Sequence, residues 1–61
     1  MIAVGTICDY SSEYAVERVR VLAGPGTETC GVIVPIDHYL VEPIDGGRPF
    51  RAHADELTTE P

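Results

Sequence analysis

Short apolar runs separated by glycine and proline make up most of the chain. Residues 2–9 (IAVGTICD) and 27–34 (TETCGVIV) are rich in β-branched side chains, and residues 38–42 (HYLVE) contain tyrosine and valine, which also favour strands. Runs of this length and composition are typical of β-strands. The pattern predicts a strand over each segment, with Gly5 at a bulge or a point of close packing in the first and Pro35 at the end of the second.

Residues 15–26 (AVERVRVLAGPG) fit two patterns. A strand would point Val19 and Val21 to one face and the arginines between them to the other. A helix over residues 12–23 would begin with Ser12 as its N-cap and end at the Gly-Pro pair. The closely spaced valines favour the strand, because β-branched side chains pack well on a pleated surface and a short helix needs packing to offset its nucleation cost. The strand is the prediction, and the helix, which would make the fold α+β, is the alternative.

The chain is predicted to reverse direction at residues 44–47 (IDGG), because Asp-Gly and Gly-Gly pairs accept the positive φ angles of a hairpin turn. Residues 48–53 would then return as a strand antiparallel to residues 38–42. Alternation along this return strand places Phe50 on the core side and Arg51 on the solvent side. Phe50 is therefore the predicted aromatic anchor of the core.

The segment ADEL near the end of the chain predicts one turn of 3₁₀ helix around residues 55–57, followed by a short strand or tail. Together with this turn, the segments CGVIV and HYLVEPIDGG resemble the strand, hairpin and closing turn of the SH3-like small β-barrels, a group that includes SH3, KOW and Tudor domains and several stromal accessory subunits. The resemblance implies an all-β barrel of about five short strands with a terminal 3₁₀ turn. It does not extend to proline-motif binding, because the chain has no tryptophan to build the peptide groove of an SH3 domain.

Length, composition and charge limit the classes of protein that the chain can represent. A chain of 61 residues allows one small core, so residues 1–61 are expected to form a single domain. Apolar residues make up 44% of the chain, which is too many for a disordered segment. The formal charge of −6, with no lysine, opposes direct binding to nucleic acid and favours a basic protein partner. No apolar run reaches the ~20 residues of a membrane span and no export signal is visible, so we expect a soluble, cytoplasmic protein.

Cys8 and Cys30 lie in apolar surroundings and are predicted to be reduced thiols packed in the core. A single disulfide between them is one alternative. A zinc site that adds His38 and His53 is another, but no closely spaced Cys or His pair is present, as most structural zinc sites require. The sequence therefore predicts no metal and no cofactor.

No arrangement of residues in the sequence points to catalysis. The carboxylates are spread along the chain, without an apolar setting that would adapt one of them to acid–base chemistry. Cys30 could act as a nucleophile only with a histidine beside it, and a cysteine within a strand is more often part of the core. The GPG segment at residues 24–26 lacks the lysine and the following helix of a phosphate-binding loop. We therefore expect a protein that is not an enzyme.

Two functional classes remain. The first is a non-catalytic protein-protein interaction module, or a small accessory subunit, that docks on a larger protein. The second is a small acidic inhibitor, in the manner of a phage-encoded antagonist, that occupies a basic nucleic-acid-binding surface on its target. The first is the prediction, because small size and the lack of catalytic residues are typical of such modules, whereas a negative charge of this size also serves ordinary solubility.

Tyr10 and Tyr14 are the predicted partner-binding residues, because the segment YSSEY (residues 10–14) would form the long first loop of the barrel, and such loops often carry binding residues. A tyrosine combines apolar contact area with a hydroxyl group that can bond a polar partner. Arg18 and Arg20 would add positive charge on the neighbouring strand, together with the arginines of the later hairpin. The alternatives are tyrosine rings that cap the core and arginines that pair with surface carboxylates.

Overall fold

A computed structural model of the protein describes residues 2–29 and 31–59. Their elements, in chain order, are β1 (Ile7–Ser11), β2 (Val16–Ala23), β3 (Glu28–Thr29), β4 (Val32–Ile33), β5 (His38–Pro43), β6 (Phe50–His53), a 3₁₀ turn (Ala54–Glu56) and β7 (Leu57–Thr59). Five strands form one curled antiparallel sheet in the order β6-β5-β2-β1-β7, and β3 and β4 pair as a separate hairpin. The predicted all-β, small barrel-like fold with a closing 3₁₀ turn is confirmed.

Strand β2 lies at the centre of the sheet, between β1 and β5. The strand prediction for this segment is confirmed, and the alternative of a helix over residues 12–23 is wrong. Val19 and Val21 are fully buried, whereas Arg18 and Arg20 between them are exposed. This alternation buries the valines on one pleated face, which a helical period of 3.6 residues would not do. Among the described residues, no helix is long and apolar enough to cross a membrane.

The first strand is shifted toward the C-terminus of the segment that the sequence predicts. Residues 2–9 do not form one strand, because Gly5 has a φ of 93° and turns the chain, and its N–H donates to the Val21 carbonyl at 2.8 Å. Strand β1 begins only at Ile7 and continues through Ser11. Tyr10 is therefore a strand residue, and the predicted long loop is a short turn over residues 12–15.

The segment 27–34 is a hairpin and not the single strand that its composition predicts. Strand β3 ends at Thr29, which pairs across the reversal with Val32, the first residue of β4. Gly31 lies in this reversal with a φ of 79°, in the left-handed region that only glycine adopts at little cost. One glycine thus converts an apparent strand into two short ones.

The second predicted hairpin is present, with a longer connection than expected. Strand β5 ends at Pro43, β6 begins at Phe50, and the six residues between them, 44–49, replace the predicted tight reversal at residues 44–47. Pro49 has no N–H to donate to a strand partner, which explains the late start of β6. The predicted faces of β6 are confirmed, since Ala52 is buried and Arg51 is exposed.

Two hydrophobic clusters lie on opposite faces of β5. The main cluster contains Cys8, Val19, Val21, Tyr39, Val41, Ala52 and Leu57. The smaller cluster contains Ala23, Val34 and Leu40, with Leu22 and Val32 packed against it. Leu40 joins the smaller cluster because its neighbours in β5 point to the opposite face. A register shift between Val21 and Ala23 turns the end of β2 toward the same cluster, as β-bulges do.

Phe50 contributes to the main cluster from its edge. Its side chain is partly buried and packs against that cluster, whereas the fully buried positions are held by smaller side chains such as Val19 and Val41. The prediction of Phe50 as the single aromatic anchor is therefore too strong, because Tyr39 and Tyr10 share the role. The Tyr39 hydroxyl accepts a hydrogen bond from the Ile2 N–H at 3.0 Å, which gives this buried ring a polar partner.

Candidate protein-docking groove

A groove lies where the β3–β4 hairpin meets strand β6 and the connection before it. Its volume is about 780 Å³, and it is lined by Leu22, Thr29, Val32, Leu40, Arg48, Pro49, Phe50 and Arg51. Volumes of about 300–1,000 Å³ are usual for binding pockets. We refer to this feature below as the arginine-rimmed groove.

The apolar side of the groove is continuous with the smaller hydrophobic cluster. Val34 and Leu40 are buried in that cluster, while Leu22 and Val32 are only partly covered and also face the groove. Two hydrogen bonds join the two arms of the β3–β4 hairpin, from the Gly26 N–H to the Val34 carbonyl and from the Val34 N–H to the Thr27 carbonyl, both 2.8 Å long, and Val34 packs against Leu40 of the sheet. The hairpin therefore covers part of the apolar face and leaves the rest accessible.

Arg48 and Arg51 supply positive charge at the groove. Both residues are exposed. Arg51 Nη1 donates to the Ile33 carbonyl at 3.5 Å, a long and weak contact that tethers it toward β4. Within residues 2–29 and 31–59, neither arginine has a carboxylate at ion-pair distance.

Arg18 and Arg20, which the sequence predicts as partner contacts, lie beside carboxylates. Arg18 stands opposite Asp9 in the β1–β2 register, with 3.5 Å between Nε and Oδ1, and Arg20 stands opposite Glu42, with 3.7 Å between Nη1 and Oε1. These cross-strand pairs are largely exposed and contribute little stability. Their effect is mainly to lower the local positive potential on this part of the sheet.

Tyr10 packs inside the fold to a greater extent than its predicted loop position implies. Its ring meets Phe50 edge to face, with 5.0 Å between ring centroids. The pKa of the Tyr10 hydroxyl is raised above its ordinary value, chiefly because burial disfavours the phenolate, and further by the negative charges of Glu56 and Glu17 and by a hydrogen bond with Glu56. The ring therefore contacts both the edge strand β6, through Phe50, and the closing turn, through Glu56.

Tyr14 lies at the tip of the β1–β2 turn and is 92% exposed. The turn is fixed by Ser12, whose hydroxyl oxygen accepts from the N–H groups of Tyr14 and Ala15 and donates to the Ala15 carbonyl. A large aromatic side chain is thus presented on a short, hydrogen-bonded turn. Tyr14 is far more accessible than Tyr10, so the two predicted tyrosines occupy different environments.

Cys8 is buried in the main cluster as a free thiol. Burial raises the pKa of this thiol, and the neighbouring Asp9 carboxylate raises it further, so Cys8 stays protonated and unreactive at neutral pH. Cys30, which the sequence also predicts in the core, lies outside the described residues. The rings of His38 and His53 meet across β5 and β6 with 5.0 Å between centroids, but no three His, Cys, Asp or Glu side chains of the described residues form a metal-binding group.

The groove is the feature that the sequence does not reveal. Its apolar lining comes from the end of β2, from β4, from the middle of β5 and from the start of β6 with Pro49 before it, four parts of the chain that folding brings together. The closest sequence signal is the pair of arginines that bracket Pro49 and Phe50, which suggests only a positive site on the hairpin. Nothing in the hydrophobic pattern of residues 27–34 indicates that the segment folds over β5.

Comparison of the chain with protein-family models, with curated protein sequences and with solved structures finds no match. The function is therefore inferred from the groove and from the charges around it.

Proposed function

We propose that the protein is a non-catalytic interaction module, or small accessory subunit, that docks on a larger protein through the arginine-rimmed groove. The observation that supports this proposal is the combination of accessible apolar side chains with two arginines that lack carboxylate partners in the described part of the chain. Interface centres are commonly apolar and rich in arginine and aromatic side chains. We place the module in the cytoplasm, where a free thiol such as Cys8 remains reduced.

The proposal extends to the fold family. The sheet order β6-β5-β2-β1-β7, with a 3₁₀ turn before the last strand, is compatible with an SH3-like barrel in which β1, β2, β5, β6 and β7 are the barrel strands. The β3–β4 hairpin is then an insertion between the second and third of them. Because this insertion forms one wall of the groove, the proposed docking site is a property of this chain and not of small barrels in general.

A second candidate is the acidic inhibitor of a basic, nucleic-acid-binding surface. The net charge of −6 supports it, as do exposed carboxylates at Glu13, Glu17, Asp45 and Asp55. In this case the contact would be the acidic surface, and the groove arginines would not be needed. The two candidates therefore predict opposite responses to salt and to arginine removal.

The decisive experiment is affinity capture with immobilised protein in a lysate of the source organism, using two matched double variants. Arg48→Ala with Arg51→Ala removes the groove charges, and Arg18→Ala with Arg20→Ala removes the same amount of charge beside Asp9 and Glu42. We expect a protein that is captured by the wild type and by the second variant but lost from the first. Thermal melting of each variant must stay close to that of the wild type, because all four arginines are exposed.

Salt dependence separates the outcomes further. Capture that weakens but persists at about 0.5 M salt supports docking through the groove, because salt screens the contacts of the exposed Arg48 and Arg51 and leaves the apolar contact. Capture that disappears with salt and is unaffected by either double variant favours the acidic inhibitor. Loss in the Arg18 and Arg20 variant alone would move the contact to the strand face that the sequence predicts and would contradict the groove proposal.

A further inference from the structure

The four arginines of the chain fall into two different electrostatic settings. The chain has ten acidic residues for these four cations, so carboxylates are abundant. Arg18 and Arg20 each face a carboxylate across a strand pair. Arg48 and Arg51 face none in the described residues, although they share one groove. The groove thus carries two cations that have no ion-pair partner among the described residues, on a protein of net charge −6.

We propose, on the basis of the docking function above, that the groove binds a peptide segment of another protein in which an apolar side chain is flanked by aspartate or glutamate. The apolar anchor would contact Leu22, Val32 and Phe50, which line the groove and are only partly buried. The flanking carboxylates would pair with Arg48 and Arg51. Guanidinium groups suit this role, because their planar fork donates two parallel hydrogen bonds to one carboxylate.

The net charge of the chain argues for a short acidic motif and against a polyanion. Nucleic acid or an anionic membrane would bring many negative charges toward a surface whose overall charge is −6. A peptide with one or two carboxylates beside an apolar residue meets the local arginines without opposing most of that field. The same field would slow association, so we expect moderate affinity rather than tight binding.

The test is selection from a random nonapeptide library displayed on phage, carried out on wild-type protein and on the two double variants described above. We expect enriched peptides to place aspartate or glutamate within two residues of leucine, isoleucine or phenylalanine. Synthetic, fluorescein-labelled versions of an enriched peptide should lose about tenfold or more in affinity when Arg48 and Arg51 are replaced by alanine. Replacement of Arg18 and Arg20 should change the affinity by less than about twofold.

Each other outcome overturns a defined part of the argument. Groove-dependent enrichment of peptides without acidic residues contradicts the acidic motif and leaves the docking function standing. No groove-dependent enrichment contradicts both. Two further measurements on the same samples address other occupants, namely NMR titration with laurate and sedimentation of the protein alone over a range of concentrations. Changes in the chemical shifts of groove residues with laurate, together with no enriched peptide, would assign the groove to small amphiphilic acids. Self-association that the Arg48 and Arg51 variant abolishes would assign the groove to a second copy of the chain.

Discussion

Phe50→Ala offers a quantitative test of how the sheet is held together. Phe50 packs on the edge of the main cluster and meets Tyr10 edge to face. A phenylalanine side chain buries up to about 150–250 Å² at about 25 cal/mol per Å², and an aromatic pair adds about 0.5–1.5 kcal/mol. Because Phe50 is only partly buried, we expect the free energy of unfolding to fall by about 2–4 kcal/mol. A chain of this length is stabilised by only about 3–9 kcal/mol, so the loss is severe.

The assay is urea unfolding followed by far-UV circular dichroism, together with thermal melting. The expected loss corresponds to a decrease of at least about 10 °C in Tm for a domain of this size. Arg51→Ala is the matched control on the next residue of β6, and it should change stability by no more than about 0.5 kcal/mol because the side chain is exposed. Equal losses at the two positions would contradict the assignment of Phe50 to the core side, and a larger loss at Arg51 would mean that the faces of β6 are reversed. A Phe50→Leu variant as stable as the wild type would show that the contact with Tyr10 contributes nothing.

The remaining predictions concern the tyrosines, the buried thiol and the β3–β4 hairpin. Tyr10→Ala should lower Tm because its ring packs on the core, whereas Tyr14→Ala should leave Tm unchanged. Lost partner capture by the Tyr14 variant would add the 12–15 turn to the docking surface, and unchanged capture would limit the docking surface to the groove. Folding raises the pKa of Cys8, so the protonated thiol is favoured in the folded state. The free energy of unfolding is therefore unaffected by this group below the thiol pKa of the unfolded chain, about 8.5, and decreases as the pH rises further. Urea midpoints between pH 7 and 10 should therefore decrease less in Cys8→Ala than in the wild type, and an equal decrease in both would contradict this assignment. Thiol labelling in denaturant without reductant should count two reactive groups per chain, and stoichiometric zinc by elemental analysis would disprove the metal-free prediction. Gly31→Ala should cost about 1 kcal/mol through backbone strain and weaken groove binding; an unchanged stability would refute the left-handed conformation.

The features that could be predicted from the sequence are those that depend on short-range alternation. The valine and arginine alternation of residues 18–21 identifies β2 because each of these side chains has one clear preference, for core or for water. Phe50 and Arg51 are separated in the same way on β6. The 3₁₀ turn is also local, since the His53 ring accepts from the Asp55 N–H and the Glu56 carboxylate accepts from the His53 N–H.

Element ends and the groove depend on backbone geometry that residue patterns do not show. Gly5 and Gly31 sit within apolar runs, and an apolar run containing glycine reads equally well as a strand with a bulge or as two segments joined by a turn. Only the folded chain shows that both glycines have positive φ. The sequence pattern predicts a loop at Tyr10 for a related reason, because the polar neighbours on one side outweigh the apolar run on the other. Its burial depends on Phe50, forty residues away in the sequence.

The position of the β3–β4 hairpin gives the physical reason for an open groove in so small a protein. A short sheet can bury one face in a single core, and here the main cluster uses that face. The register shift near the end of β2 turns apolar side chains to the opposite face, where they require a second cover. A hairpin with two residues in each strand is too small to cover them all, so Leu22 and Val32 remain partly accessible beside Arg48 and Arg51. The groove therefore combines an incompletely covered apolar face with two arginines that have no carboxylate partner in the described chain. An occupant that supplies apolar contact and negative charge would cover the first and pair with the second.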